Sequence, residues 1–142
     1  IGLAGLGAGV RFVLREGVAA IRRREEGLTR QFLEGLALLP DVIIYGPPDA
    51  AARTAVVSLT TAGVSPSEAA LALDERFGIL CRPGLHCAPA AHRTIGTFPR
   101  GTVRFSFGYF NTEAEIAYAL EAVRSNMKRE CSHKGFVRVD KL

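Results

Sequence analysis

Between Thr102 and Phe110 apolar and polar residues alternate. Val103, Phe105, Phe107 and Tyr109 fall on one side, Thr102, Arg104, Ser106 and Gly108 on the other. Successive side chains of a strand point to opposite faces, so this pattern describes a strand with one face in a core and one face open. It constrains the fold more than any other stretch, because a single apolar face must be covered by another layer. It assigns Phe105, Phe107 and Tyr109 to core packing and sets Arg104 opposite them.

The covering layer is legible as helices. Residues 1 to about 38 read as two helices meeting near Gly17, with Leu6, Val10, Val13, Leu14, Val18 and Ile21 at helical spacing; the second continues through Leu28, Phe32, Leu36 and Leu39 until Pro40. Val42 to Tyr45 reads as a short strand closed by Gly46-Pro47-Pro48, and a second strand covers about Thr54 to Thr60. Ser65-Pro66-Ser67-Glu68 is a helix start: Ser65 can cap, Pro66 suits the first helical position and Glu68 completes a capping box. That helix ends at Phe77-Gly78. A brief strand is predicted from Ile79 to Arg82, and one or two helical turns from Ala88 to Ile95. Thr112-Glu113-Ala114-Glu115 repeats the capping logic and opens a helix with Ile116, Ala119, Leu120 and Val123 on one side. The expected fold class is α+β, a small, largely antiparallel sheet of three to four strands covered by helices on one face.

At 142 residues the chain fits one domain, and 48% hydrophobic against 23% charged residues is ordinary for a globular protein. Of the net charge of +4, three units reside in residues 126–142, a basic tail with five Lys/Arg against two Asp/Glu, leaving 13 against 12 elsewhere. Arg22-Arg23-Arg24 is followed directly by Glu25 and Glu26, which reads as a solvated helix face, so no nucleic-acid partner is expected. Ile1 to Leu14 carries four glycines and an arginine without a basic leading region, and no run is long enough to span a bilayer. Neither a signal peptide nor a membrane partner is expected. Three cysteines, an odd number, suggest reduced thiols and a cytoplasmic setting. The lack of an initiating methionine suggests a fragment or a processed chain.

One cysteine stands apart. Arg82-Pro83-Gly84-Leu85-His86-Cys87-Ala88-Pro89 holds a glycine and two prolines, so it reads as an ordered loop with the Cys87 thiol near the surface. His86 is adjacent, and Arg82 and His92 are near in sequence. Positive charge or a hydrogen-bond donor beside a thiol favours thiolate, the nucleophilic form. His86 can serve as a proton carrier or thiolate partner, or as a structural loop histidine. Cys81 reads as a core thiol, His92 as structural, and Cys131 as a tail residue.

Taken together, the Arg82–Pro89 stretch, Val103-Arg104-Phe105-Ser106 and Tyr109-Phe110-Asn111-Thr112-Glu113 resemble the C-terminal domain of cysteine desulfurases, within the class V aminotransferase-like, pyridoxal-phosphate-dependent enzymes. The resemblance covers about residues 1–125, with 1–38 as a helical lead-in, and implies the small domain of the fold type I transferases. The His-Cys-Ala form is similar to the group that includes sulfur-mobilisation desulfurases and selenocysteine lyases. It implies that Cys87 is the nucleophile that takes sulfur from L-cysteine, or selenium from L-selenocysteine, leaving L-alanine and a persulfide. It also implies that Arg104 holds the substrate α-carboxylate, a task that suits a guanidinium. A sulfur-acceptor protein and a homodimer are further implied partners.

In the family, the lysine that holds pyridoxal 5'-phosphate belongs to a larger domain preceding this one, so no cofactor-binding residue is assigned here and the chain alone is expected to be inactive. Ser132-His133-Lys134 resembles the family's cofactor-lysine motif but follows the cysteine loop instead of preceding it, and reads as coincidence. Two other readings stand beside the desulfurase. One is a non-catalytic remnant or dimerisation domain. The other is a zinc module using Cys81, His86, Cys87 and His92, which the adjacency of His86 and Cys87 and the lack of a CxxC knuckle oppose, so no metal site is assigned.

Overall fold

The protein is described by a computed structural model covering residues 1–131. Its elements run α1 (Gly2–Glu16), α2 (Val18–Ala37), β1 (Val42–Tyr45), a 3₁₀ turn (Ala50–Ala52), β2 (Val56–Thr61), α3 (Pro66–Phe77), β3 (Arg82–Gly84), α4 (Pro89–Thr94), β4 (Thr102–Ser106) and α5 (Glu113–Cys131). The four strands form one antiparallel sheet in the order β1-β2-β4-β3. This is the α+β arrangement the alternation called for.

Val57 and Leu59 of β2 and Val103 and Phe105 of β4 are buried against Leu28, Phe32 and Leu36 of α2, and Ile116 and Val123 of α5 pack into the same cluster. The Phe32 ring lies 5.0 Å from those of both Phe105 and Phe107. Each fully buried side chain of this size contributes about 1.5–3 kcal/mol, so these few positions bind the helices to one sheet face. Both capping boxes form. Ser65 Oγ accepts from the Glu68 amide while Glu68 Oε2 accepts from the Ser65 amide, and Thr112 and Glu115 exchange the same pair of bonds.

Three expectations need correction. The strand predicted at Ile79–Arg82 lies later, at Arg82–Gly84, inside the proline-glycine stretch. Pro83 is tolerated because β3 is an edge strand with β4 as its single neighbour, so its missing N–H removes no ladder bond on a second side. The strand predicted to reach Phe110 ends at Ser106. A turn follows, in which the Gly108 amide donates to Asn111 Oδ1 at 2.9 Å and the Asn111 amide donates back to the Gly108 carbonyl. That turn carries Tyr109 out of the core. Its ring meets Phe12 edge-on at 5.3 Å, and its hydroxyl donates to Glu16 Oε2 at 2.9 Å.

Phe12, Glu16 and Tyr109 thus hold the C-terminal end of α1. The rest of α1 buries nothing: Leu3, Leu6, Val10 and Leu14 are exposed, and no charged side chain precedes Arg11. No described helix is long and apolar enough to cross a membrane.

Candidate functional site

The site is assembled on the sheet face turned away from the helices. Because Val103 and Phe105 face the core, Arg104 between them faces the other way. The register places Arg104 opposite Ser58 on one side and Arg82 on the other, and Ser58 in turn opposite Tyr45. One row across the open face therefore reads Tyr45, Ser58, Arg104, Arg82. Arg104 Nε is buried without a hydrogen-bond partner among the described residues, so the stem of this side chain is enclosed. Two guanidinium groups on directly opposed residues repel one another, and an anion between or beside them would relieve that.

Beyond Gly84 the chain leaves the sheet as a short loop. Gly84 itself has φ 102, which only glycine adopts easily. Gly101, just before β4, has φ 78 and packs directly against the Gly84 backbone, leaving no room for a side chain. His86 and Cys87 then take left-handed conformations in succession, with φ of 51 and 60. For residues bearing side chains each costs roughly 1–2 kcal/mol. The Ala88 amide donates to the Leu85 carbonyl at 2.8 Å, closing the turn, and Pro89 begins α4. The result displays Cys87 as an exposed thiol.

The three histidine and cysteine neighbours divide by role. His86 Nε2 lies 2.9 Å from the Arg82 carbonyl oxygen, and because a carbonyl only accepts, Nε2–H donates. The His86 ring sits 5.8 Å from that of His92. His92 is buried in α4, its Nδ1 sharing a 2.6 Å hydrogen bond with the Thr97 hydroxyl. Cys81 is half-buried against the core, and burial, with Asp74 adding to it, pushes its thiol up to about 11. Two thiols six positions apart are therefore in opposite environments, one enclosed and one displayed.

Among the described residues no three His, Cys, Asp or Glu side chains converge so as to hold a metal ion. Sequence proximity offers Arg82 and His92 as cation partners of Cys87. What proximity could not show is that Arg82 shares a row with Arg104, since strand register is set by contacts distant in sequence. The residues around Cys87 do not fit pyridoxal phosphate by themselves, because its aldehyde needs a lysine amine and residues 1–127 contain no lysine. Ser132, His133 and Lys134 lie outside the described residues, as does the tail from residue 132 onward.

The family model for aminotransferase class V matches residues 1–118. A Synechocystis protein named "Probable cysteine desulfurase" is 32% identical over 124 residues, covering 87% of this chain and 29% of its own length. One of the same name from Mycolicibacterium paratuberculosis is 39% identical over 120 residues, 84% of this chain and 17% of its own length. Among solved structures, the apo cysteine desulfurase of Thermococcus onnurineus NA1 superimposes with a TM-score of 0.82 at 35% identity, over 88% of this chain and 30% of that one. The chain thus spans less than a third of the length of these relatives.

Proposed function

The chain belongs to the aminotransferase class V family, and from that footing we propose that it forms the C-terminal part, about residues 1–125, of a cysteine desulfurase-like enzyme in which Cys87 receives the sulfur. The observation that carries this reading is the displayed thiol of Cys87, held in a left-handed loop directly after a strand whose Arg82 stands opposite Arg104. A nucleophile that must reach a substrate sulfur and then hand it on belongs on such a loop.

The conversion balances with the residues named. L-Cysteine and the Cys87 thiol give L-alanine and a Cys87 persulfide: the substrate carbon–sulfur bond breaks, a sulfur–sulfur bond forms, and the released carbon takes up a proton. Arg104 binds the substrate α-carboxylate with two parallel N–H groups, the geometry a guanidinium supplies. Selenium in place of sulfur follows the same course with L-selenocysteine. On this reading the cofactor-holding lysine lies in a larger domain preceding this one, and the chain by itself is inactive. A homodimer, a cytoplasmic setting with reduced thiols and a sulfur-accepting partner protein complete the reading.

The test joins this chain to a lysine-bearing class V large domain and measures alanine and persulfide from L-cysteine. Alanine release with persulfide on Cys87, both lost in Cys87→Ser, supports the proposal. No turnover from the joined protein, with pyridoxal phosphate bound, favours instead a non-catalytic remnant.

A further inference from the structure

Among the described residues, the non-glycine positions with positive φ have a hydrogen bond beside them. His86 and Cys87 occupy the left-handed region one after the other, and such a pair persists where its surroundings hold it. The turn bond from Ala88 to Leu85 closes the loop locally. A side-chain contact that ties the loop back to the sheet is that of His86, whose Nε2–H donates to the carbonyl of Arg82, a residue of β3 paired with Arg104. Its ring also faces that of His92, which is itself fixed by Thr97.

We infer that His86 is a positioning residue for Cys87: by clasping the Arg82 carbonyl it holds the loop in the conformation that displays the thiol, and it is not the proton partner of that thiol. This rests on reading Cys87 as the nucleophile, but its physical basis is separate. With Nε2 committed to a carbonyl, a proton arriving at the imidazole goes to Nδ1, and the charged ring still donates from Nε2. The clasp therefore survives in both charge states of His86. The same hydrogen bond ties the Cys87 loop to the strand residue that stands opposite Arg104.

The experiment uses the 142-residue chain with Cys131→Ser and compares it with His86→Gln, which keeps an N–H donor on a side chain of similar reach, and His86→Ala. Two quantities are read: amide exchange at Ala88, with the β4 amide of Phe105 as control for global folding, and the pH profile of Cys87 alkylation by iodoacetamide. Expected are at least fivefold faster Ala88 exchange in His86→Ala, exchange within about twofold of the parent in His86→Gln, and a single alkylation step in all three. Unchanged Ala88 exchange in His86→Ala, or failure of His86→Gln to keep it, overturns the clasp. A second alkylation step in the imidazole range, present in the parent and lost in both variants, overturns it in favour of proton exchange. Neither readout needs cofactor or substrate, so failure here is distinct from failure of the desulfurase reading, which the joined protein decides.

Discussion

A Cβ placed on Gly101 would stand 2.2 Å from both the carbonyl carbon and the carbonyl oxygen of Gly84. The approach of these two glycines brings the strand that carries Arg104 against the start of the Cys87 loop. Gly101→Ala therefore meets immovable backbone as well as an unfavourable φ, and is expected to cost about 2–5 kcal/mol. Gly84→Ala, whose Cβ meets nothing within 4 Å, carries the φ penalty alone and should cost about 1–2 kcal/mol. Urea unfolding midpoints of the two variants measure the difference.

In the joined enzyme, Arg104→Ala is expected to raise KM for L-cysteine about 10- to 100-fold, the equivalent of one charge-assisted contact. Arg104→Lys should recover only part, since a single ammonium cannot present two parallel donors. In the chain without substrate, Arg82→Ala should raise stability by about 0.2–1 kcal/mol by removing a like charge opposite Arg104. That gain should shrink at high salt. Denaturant melts at two ionic strengths read both effects.

Cys81 and Cys87 should separate by pH. Since burial raises the Cys81 thiol from 9.0 to about 11, its neutral form is favoured in the folded chain. The unfolded chain ionises first as pH rises, so folded stability should decline between about pH 9 and pH 11 and be unaffected by Cys81 below that window. Cys81→Ala should remove this part of the decline. Mass-resolved alkylation at pH 8 should label Cys87 well before Cys81.

The tie between α1 and the body is narrow enough to cut. Glu16 is held below the usual carboxylate range by its bond to Arg15 first and to Tyr109 second, and the same Glu16 contact raises Tyr109. Tyr109→Phe removes the hydroxyl and leaves the ring on Phe12. Amide exchange along α1 should quicken while exchange in α2 and β4 stays unchanged. Equal rates in α1 before and after would show that the ring contact alone holds the helix.

Much of this was written locally. Ser65 with Glu68 and Thr112 with Glu115 announce their helices because a capping box is completed within four residues. Val103 and Phe105 announce their face by alternation. Pro83 misdirected the reading of β3, since proline argues against a strand unless the strand is an edge, and edge status is a property of the assembled sheet. Tyr109 kept the alternation beyond the point where the Gly108–Asn111 turn ends the strand. The pairing of Arg82 with Arg104 was beyond local reading altogether, because it depends on a register between segments some twenty residues apart. Cys87 was legible as a displayed thiol; what holds it displayed was not, because a histidine next to a cysteine suggests proton transfer before it suggests a clasp.

The loop that bears Cys87 is also short. Only Leu85 to Ala88 separate the end of β3 from the start of α4. Fully drawn out, four residues span about 13 Å, which bounds the excursion of anything attached to the thiol while both flanking elements stay in place. If Cys87 takes up sulfur as proposed, that atom cannot be carried across the protein to a distant exit; its recipient would have to come to the loop.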